Sequence, residues 1–546
     1  MFKKISLSLF FVFFLISSGL AQPEGLQQIR INDFSGGMVS NSIADILKPN
    51  QGASMVNVVL TKSGIISKRK GQDLFNQDVG NTAHTGIGRF DPDATSSYLL
   101  IASGPDILRA QVNDVSWASV TSAASRLTTG KNTEFVQAND LMFILNGFDP
   151  TAWHDGSTFT KAGDYPSSPP TATTGAWLRN YLFLGGATTE NDWIYISDNL
   201  SPKTFTDADD VIKINTGDGQ KIQKLEPYRE NELIVYKERS IFVLDITGDP
   251  PSTCTTNCWT VQPLSTVIGT IAPRSVVSLG NDQWFLSSEP IAIRSLARTS
   301  FDKILVNMVS QPIQDIFDGN GSLAINENQI SKAAAILFDN KYFLAIPTGS
   351  STVNNTVLVF DFLVNAWYII DNWFPEDWII FDDRLFYADA NDGRVIECFA
   401  STYADWEPGP GYIDLASSPS IITDFEHISK DYDFDYPENW KELDAIEVEF
   451  DPTGNYNADV MINLDNEGWS SVATVNLSGQ STTLSLTLPS TLMNSGVARK
   501  TVQFSENNEF KKMKVRIRQA GLNEKVNLQR ITIFSRIKPW DREQEQ

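Results

Sequence analysis

Histidine, cysteine and cationic residues are scarce in this chain. Its 546 residues include 3 His and 3 Cys, and 43 Lys and Arg stand against 66 Asp and Glu, giving a formal net charge of -23. His84, His154 and His427 are far apart in the sequence, which argues against a histidine-based triad or metal site. Because affinity for phosphate depends on clustered cations, the charge also argues against bulk attraction to nucleic acid or anionic lipid. The negative charge would suit the lining of a channel through which a polyanion passes without binding.

Sequence patterns of common catalytic sites are missing as well. The chain contains no H-E-x-x-H, G-x-S-x-G or G-x-x-x-x-G-K-[ST] string, so metalloprotease, hydrolase-elbow and P-loop chemistry have no support. Carboxylates remain as the candidate catalytic groups, and some of the 66 lie close together by chance. We predict no enzymatic activity and no cofactor, and keep a secreted carboxylate-dependent glycosidase as the least favoured alternative.

Long apolar runs are confined to the first residues of the chain. Lys3 and Lys4 precede an apolar run from Leu7 to Ile16, and small residues follow up to Ala21, as in a secretory signal peptide. The run is shorter than the roughly 20 residues that span a bilayer, and no second run of that length follows. The sequence predicts a signal-peptide-like leader at 1–21 and no membrane contact once it is removed.

The few cysteines divide into a close pair and a single residue. Cys254 and Cys258 lie in a polar segment, and in an oxidising compartment they are predicted to form a local disulfide. A zinc site is disfavoured because zinc needs four ligands and the chain offers neither a second Cys pair nor a nearby His. Cys398 lies in an apolar stretch, which predicts a buried thiol.

Residues 84–407 repeat one pattern: a short apolar strand, a tight turn of Asn, Asp or Gly, and a second apolar strand. The first turns of successive units lie near positions 139, 180, 231, 281, 339 and 382. Propeller blades of four short strands have a period of about 40 to 50 residues, and a weaker copy begins at His84. The repeat predicts a β-propeller of six or seven blades, with two successive sandwiches as the alternative.

The composition and the hydropathy pattern of the sequence change after Phe399. Residues 408–420 are rich in Pro, Gly and Ser and are predicted to be a linker. Longer strands with alternating polar and apolar residues follow in 421–538, a pattern typical of a β-sandwich. The complete prediction is an all-β chain: an extended N-terminal segment at 22–83, the propeller, the linker, a C-terminal β-sandwich and a disordered tail at 539–546.

One acidic cluster invites a metal-site interpretation. Asp431, Asp433 and Asp435 alternate with aromatic residues, and Glu442 stands at the twelfth place counted from Asp431. An EF-hand requires Gly at the sixth place, where this chain has Tyr436, and helices on both sides. We therefore treat these four acids as weak metal candidates and predict an extended strand that presents the three aspartates on one solvent-facing side.

The N-terminal segment carries three motifs in a fixed order. They are Asn32-Asp33-Phe34-Ser35-Gly36-Gly37-Met38, then Leu47-Lys48-Pro49-Asn50-Gln51, then Gly64-Ile65-Ile66-Ser67-Lys68-Arg69-Lys70-Gly71. By itself the basic cluster at 68–70 predicts an exposed turn, since three cations alone bind nucleic acid weakly. Together with collinear matches in 193–290, the string resembles the tail tubular, nozzle and head-to-tail stabilisation proteins of short-tailed bacteriophages. The residues that carry the N-terminal match are Asn32, Phe34, Gly36, Gly37, Pro49, Lys68, Arg69 and Gly71.

The resemblance implies a structural virion protein of the phage tail. Such a protein would associate into a ring, a hexamer in this family, that contacts neighbouring tail and adaptor proteins below the portal. The ring would conduct double-stranded DNA in transit without sequence recognition. Members of the family usually begin at the Gly-Gly motif and carry no export signal, so the leader is a departure. The alternative is an exported β-propeller, in the periplasm or outside the cell, that binds a surface glycan or protein.

Overall fold

The computed structural model describes residues 25–539 except 77–78, 80–81, 299–302, 322, 407–418, 479–496 and 505–507. The predicted leader, most of the predicted linker and nearly all of the predicted tail lie outside the described residues. The regular secondary structure of the described part is almost entirely β, as predicted. Its short helical segments are the 3₁₀ turns Pro273–Ser275, Gln311–Ile313 and Glu327–Lys332 and the helix α1 (Gln314–Phe317). None of the helices in the described ranges has the length and apolar character needed to cross a bilayer.

The N-terminal segment forms five short strands before the propeller begins. They are β1 (Leu26–Ile31), β2 (Gly52–Val56), β3 (Val58–Leu60), β4 (Ile66–Lys68) and β5 (Gln72–Leu74). Three of them, β1, β3 and β4, pair within the C-terminal sandwich, and β5 completes a blade of the propeller. The predicted separate segment at 22–83 is thus shared between the two domains.

Four-stranded antiparallel meanders follow one another along the propeller region. Blade 1 consists of β6 (His84–Phe90), β7 (Tyr98–Ser103), β8 (Asp106–Ala110) and β9 (Ala118–Ser119). Blade 2 consists of β10 (Glu134–Ala138), β11 (Leu141–Leu145), β12 (Ala152–His154) and β13 (Phe159–Lys161). Blade 3 consists of β14 (Thr174–Leu178), β15 (Tyr181–Gly185), β16 (Trp193–Ile196) and β17 (Val211–Lys213). Blade 4 consists of β18 (Ile222–Arg229), β19 (Glu232–Lys237), β20 (Ile241–Asp245) and β21 (Thr260–Ser265).

The remaining meanders complete the circle. Blade 5 consists of β22 (Val277–Ser278), β23 (Gln283–Ser288), β24 (Ile291–Arg298) and β25 (Ile304–Met308). Blade 6 consists of β26 (Ala334–Phe338), β27 (Lys341–Ile346), β28 (Thr356–Asp361) and β29 (Ala366–Asp371). Blade 7 consists of β30 (Pro375–Phe381), β31 (Arg384–Asp389), β32 (Val395–Cys398) and the N-terminal strand β5. Six of these blades are separate four-stranded sheets, and blade 6 is continuous with a larger sheet.

The first strand of each blade contacts the first strand of the next around a closed circle, with β30 returning to β6. Each meander is built on tight hairpins. Asp339 and Asn340 have φ of 47° and 56°, and Asp382 and Asp383 have φ of 50° and 57°. Two consecutive positive φ values match the right-handed twist of the flanking strands, and Asp and Asn tolerate them. The turn residues therefore explain why the strand periodicity and the propeller could be predicted.

The C-terminal domain is a sandwich of two sheets preceded by a small β-ladder. The ladder is β33 (Ala404–Asp405) with β34 (Ile421–Ile422). The sandwich strands are β35 (Phe425–Ser429), β36 (Lys441–Phe450), β37 (Asn457–Leu464), β38 (Ser470–Asn476), β39 (Ala498–Gln503), β40 (Glu509–Phe510), β41 (Met513–Gln519) and β42 (Asn527–Ile537). One sheet has the order β3-β4-β42-β36-β39, with β1 on β42 and β40 on β36. Its apolar face packs on the second sheet in one shared core.

Strand β2 joins the two domains through the backbone. It pairs in parallel with β29 of blade 6 through Val56 and Ile369, and antiparallel with β35 of the sandwich. The result is a nine-stranded sheet of order β26-β27-β28-β29-β2-β35-β41-β37-β38. Because a continuous hydrogen-bonded sheet crosses the boundary, blade 6 and the sandwich are held in one fixed arrangement.

Candidate functional site

The first strands of the blades surround an open cavity of about 330 Å³ on the propeller axis. We call it the axial cavity. Its polar lining residues are Arg89, Asn132, Thr133, Glu134, Gln137, Thr173, Lys224, Arg274 and Asp377. Its apolar lining includes Phe135 and Trp378. Residues from five blades, from the chain just before blade 3 and from the 3₁₀ turn before blade 5 therefore meet at one place. Some are about 290 residues apart in the chain, as Ile87 and Asp377 are.

Arg274 contacts residues in or next to three different blades at the axial cavity. One Nη donates to Oε1 of Glu376 at 3.0 Å and to the Glu376 carbonyl at 3.2 Å. The other Nη donates to the carbonyls of Thr85 and Thr133, and Nε lies 3.7 Å from Asp377. Arg274 thus connects blades 1, 2 and 7 from its position ahead of blade 5. A guanidinium suits this role because its five N–H groups point in fixed directions.

A second charged group faces the cavity from blades 2 and 4. Lys224 Nζ lies 3.0 Å from Oε1 of Glu134 and 3.9 Å from Oε2 of Glu226. Burial lowers the Lys224 pKa, but the two carboxylates outweigh it, so that the net shift is upward. Glu226 also accepts a hydrogen bond from Ser278 Oγ at 3.0 Å.

The carboxylates around the axis are held in a poorly solvated setting. Burial raises the pKa of Glu226 despite Lys224 and Ser278, and burial raises the pKa of Asp377 despite Arg274. Desolvation favours the neutral form of a carboxyl group, whereas neighbouring cations favour the charged form. The cavity offers amide, carboxylate, ammonium and guanidinium groups together with an aromatic side chain, Phe135. This set can hydrogen-bond and stack against a polyhydroxylated ligand.

A larger hollow of about 750 Å³ lies at the outer turns of blades 4 and 5. It is lined mainly by the β18–β19 turn, residues 228–232, with Asp245, Thr247, Gly280 and Asn281. Most of these residues belong to one hairpin and its immediate neighbour. We prefer the axial cavity as the candidate site because more blades contribute to it. Most of its charged residues are also less exposed to solvent than Arg229 and Glu230 of the outer hollow.

The predicted acidic strand at 431–435 is wrong. Phe434 and Asp435 have φ of 57° and 65°, so the segment is a turn, and Asp433 accepts a hydrogen bond from the Asp435 N–H at 3.1 Å. Asp431 is buried and lies 3.5 Å from Lys512 and 3.6 Å from Lys514. A local alternation pattern could not reveal these distant lysines, which neutralise the buried carboxylate.

The fourth weak metal candidate lies apart from the turn. Glu442 is in β36, where it faces Glu509 on one side and Arg536 on the other. Within the described ranges, no three His, Cys, Asp or Glu side chains are grouped so that they could hold a metal ion.

The predicted exposed basic turn at 68–70 is also wrong in two of its three residues. Lys68 and Arg69 are 3% and 0% exposed, and only Lys70 faces solvent. Arg69 forms a two-pronged ion pair with Asp405, at 2.9 and 2.5 Å, and its Nε donates to Asn57 Oδ1 at 2.8 Å. The three cations belong to the junction between the propeller and the sandwich.

The other motif residues lie at the same junction. Phe34 is buried against the His427 ring, with centroids 5.0 Å apart, whereas Asn32 and Pro49 are exposed.

The glycines of the motifs lie where the chain has no room for a side chain. Gly37 has φ of +65°, and a Cβ there would lie 2.6 Å from the Ala366 Cβ. A Cβ on Gly36 would lie 2.8 Å from Asn50. A Cβ on Gly71 would lie 1.9 Å from the Ala404 carbonyl oxygen. The motif packs the N-terminal segment closely between the two domains.

The cysteines lie away from the axial cavity. Cys254 and Cys258 form a disulfide with Cα atoms 5.3 Å apart, in the loop between β20 and β21. Cys398 is a buried free thiol in β32, and burial raises its pKa well above the ordinary value. A thiol that stays protonated is a poor nucleophile, so this residue has a packing role.

The three histidines are buried in separate places: His84 at the start of blade 1, His154 in blade 2 and His427 in β35 of the sandwich. Burial lowers the pKa of His84 to about 4 and the pKa of His427 to about 3. They do not meet in one site, as their spacing in the sequence indicates.

The buried His427 should make the protein less stable in acid. In the unfolded chain the imidazole gains a proton below its ordinary pKa of 6.5, whereas in the folded chain it remains neutral down to about 3. The unfolded state then binds more protons, so stability falls as the pH falls through that window. We expect His427→Met to lose less thermal stability than the wild type between about pH 7 and about pH 5. Equal losses, measured by thermal denaturation, would contradict this assignment.

The axial residues were missed by sequence reasoning. Local patterns identified the strands that carry them, but each strand contributes only one or two of these charged residues, and most of their partners come from other blades. A usable signal was present: Glu134, Lys224, Glu226, Glu376 and Asp377 are charged residues within the first strand of a unit. In a propeller the first strands line the axis, so charges at those positions converge.

No protein-family model matches the chain, and no curated protein matches it either. Among solved structures, YCF48 from Cyanidioschyzon merolae matches with a TM-score of 0.37 and 13% identity, covering 60% of this chain and 98% of that one. The extracellular domain of the hybrid two-component system BT4673 from B. thetaiotaomicron matches at 0.41 and 9%, covering 61% and 40%. PorZ, a bacterial surface component of the type-IX secretion system of Porphyromonas gingivalis, matches at 0.35 and 11%, covering 65% and 42%. These similarities are too low to indicate a shared function.

Proposed function

We propose that this protein is a non-enzymatic, exported binding module whose axial cavity holds part of a surface glycan. The observation that carries the proposal is the convergence of polar side chains from most blades on one open cavity of about 330 Å³. Glycans need several hydrogen-bonding groups in fixed positions and an aromatic surface for the sugar ring. The cavity supplies both, and the leader-like N-terminus supports export to where such glycans occur.

The charged groups of the cavity support binding rather than catalysis. Glu134 is paired with Lys224, and Glu376 and Asp377 are paired with Arg274. The ion pairs hold these groups in defined positions, and Glu134, Lys224, Arg274 and Asp377 line the cavity, as a specific polar site requires. Catalysis would instead require a general acid and a general base that are each free to reach the scissile bond, whereas these carboxylates are engaged with cations.

The proposal predicts binding to an array of neutral and acidic oligosaccharides, and a loss of that binding when Lys224 is replaced. We expect Lys224→Met to weaken the affinity for the selected glycan about tenfold or more, because it removes a charged donor and alters the orientation of Glu134. Isothermal titration calorimetry measures the change. The matched control is Lys213→Met on the outer strand β17, where the ammonium lies over the Trp193 ring, and it should leave the affinity unchanged.

Two results would contradict this function. If no oligosaccharide binds, or if Lys213→Met weakens binding as much as Lys224→Met, the axial cavity is not a glycan site. Hydrolysis of the bound glycan that disappears in Asp377→Asn would show an enzyme instead.

A phage tail component is the second candidate, supported by the motif residues of the N-terminal segment. These residues converge on the junction of propeller and sandwich, where Gly37, Gly71 and Arg69 fix the two domains relative to each other. A ring of identical copies repeats one interface at a constant rotation, which a fixed arrangement of the two domains favours. Negative-stain micrographs of the same preparation distinguish the two functions, because rings with an axial hole favour the tail tube and monomers favour the binding module.

A further inference from the structure

A second cavity, of about 430 Å³, lies between the propeller and the sandwich, and we call it the junction cavity. Its walls come from the N-terminal segment, from blade 6, from the chain that follows blade 7 and from the sandwich. Residues that mark these four walls are Val59, Ser67, Phe343, Tyr368, Tyr403 and Asn527. Because strand β2 fixes the two domains relative to each other, this cavity is a built feature of the fold.

The junction cavity is cationic in a strongly acidic protein. Lys68, Lys70, Lys341 and Lys525 line it, together with a single acid, Asp339, whereas the whole chain has a formal net charge of -23. Lys341 lies 3.0 Å from Asp339 and 3.8 Å from Asp361. Throughout the part of the chain that the structure describes, neither Lys70 nor Lys525 has a carboxylate within ion-pair distance. The cavity therefore has a local excess of positive charge.

Lys68 contributes a buried ammonium group that is bonded to neutral atoms. Its Nζ donates to Oε1 of Gln519 at 2.8 Å and to the carbonyl of Gly521 at 3.1 Å. Burial, and then the neighbouring Arg69, lower its pKa to about 8. An anion in the cavity would offset both effects, since an opposite charge nearby stabilises a buried cation.

Aromatic side chains form the rest of the wall. Tyr368 and Phe343 are buried, and Phe338, Phe399 and Tyr403 are partly exposed. The backbone of Phe399 has φ of 57°, an unfavourable conformation for a bulky side chain that is retained where the surroundings impose it, often at functional sites. This geometry seats the Phe399 ring 5.1 Å from Trp373 and 5.8 Å from Phe343, measured between centroids.

We propose that the junction cavity binds a small, flat organic anion of which an aromatic carboxylate is the simplest example. The lysines would hold the carboxylate through charge-assisted hydrogen bonds, and the aromatic wall would hold the flat apolar body. Cavities of about 300 to 1,000 Å³ that combine apolar walls with a few polar groups are typical of small-molecule sites. The site lies at the junction of the two domains and does not depend on the function of the axial cavity.

Two matched probes test the proposal on the whole protein: 2-naphthoate, a flat anion, and 2-naphthamide, a neutral analogue of nearly the same shape. We expect the wild type to bind 2-naphthoate at least about tenfold more tightly than 2-naphthamide. Added salt should weaken the binding of 2-naphthoate only. The double variant Lys70→Gln/Lys525→Gln should lose most of this preference, although Lys68 and Lys341 remain in the cavity. Neither lysine has an ion-pair partner among the described residues. The melting temperature of the double variant should therefore stay close to that of the wild type.

The matched control is Lys62→Gln/Lys203→Gln, which removes two exposed lysines outside the cavity and should retain the full preference. The proposal is overturned if neither probe binds, if both bind equally, or if the control loses the preference as strongly as the cavity variant. Glycan binding by the cavity variant, measured in parallel, should be unchanged, so that failure here is distinguishable from failure of the axial site.

Discussion

Replacing Arg69 with Met should lower the free energy of unfolding by about 3 to 5 kcal/mol, the cost of removing one partner of a buried ion pair. The side chains of Arg69 and Asp405 are both 0% exposed, and two short contacts join them. Without the guanidinium, the Asp405 carboxylate is left charged in the interior. Asn57 and the Asp371 carbonyl also lose a donor, at 2.8 and 3.0 Å, and the Trp373 ring loses the cation stacked 4.8 Å from its centroid.

Thermal and urea denaturation measure this change, and Lys70→Met is the matched control. Lys70 is adjacent in sequence and has the opposite environment, since it is exposed. Its replacement should change stability by less than about 0.5 kcal/mol. Adding Asp405→Asn to Arg69→Met should recover part of the loss, because it removes the unpaired buried charge. An Arg69→Met variant as stable as Lys70→Met would show that the pair contributes nothing to holding the domains together.

The propeller could be predicted because its information is local. Each blade places apolar residues in short runs, and its hairpins place Asn or Asp where φ must be positive, as at Asn139, Asp339 and Asp382. Both signals lie within about ten residues of each other and repeat along the chain. The blade closed by β5 could not be read in this way. Its outer strand, Gln72–Leu74, pairs with Val395–Cys398, more than 300 residues later.

The role of the basic cluster was mispredicted for the same physical reason. A run of Lys68, Arg69 and Lys70 has the composition of a solvent-exposed turn, and nothing nearby in the sequence contradicts that expectation. The partners that make burial possible are Asp405, 336 residues from Arg69, and Gln519, 451 residues from Lys68. Buried charge is tolerated only where such partners are present.

The two cavities illustrate how far a candidate site can be predicted from a single sequence. Lys224 in blade 4 and Glu134 in blade 2 are separated by 90 residues, and the junction cavity combines Lys70 with Lys525. Motif searches look for chemistry within short windows, whereas a closed circle of blades assembles its site from single residues in many windows. Fold topology must therefore be known before these residues can be recognised as neighbours.

Gly71 should be nearly irreplaceable, because the chain passes Ala404 there with no room for a side chain. A Cβ on Gly71 would lie 1.9 Å from the Ala404 carbonyl oxygen and 2.7 Å from the Ala404 nitrogen, and backbone atoms cannot give way as the end of a flexible side chain can. Gly71 also accepts a hydrogen bond from the Ala400 N–H at 3.1 Å and donates one to the Thr402 carbonyl at 2.8 Å. Relief of the clash must displace β5, which begins at the next residue.

We therefore expect Gly71→Ala to cost about 3 kcal/mol, at the upper end for an overpacked site, and to release the outer edge of blade 7. Hydrogen exchange should show lost protection in Gln72–Leu74 and Val395–Cys398, the two outer strands of blade 7. Gly163→Ala is the matched control, since its new Cβ would lie 3.3 Å from only the Ser168 hydroxyl. Equal melting temperatures for the two variants would mean that the close approach of Gly71 to Ala404 is not needed to hold β5 on blade 7. Without β5, blade 7 keeps only three strands and the backbone of β32 loses its outer pairing partner.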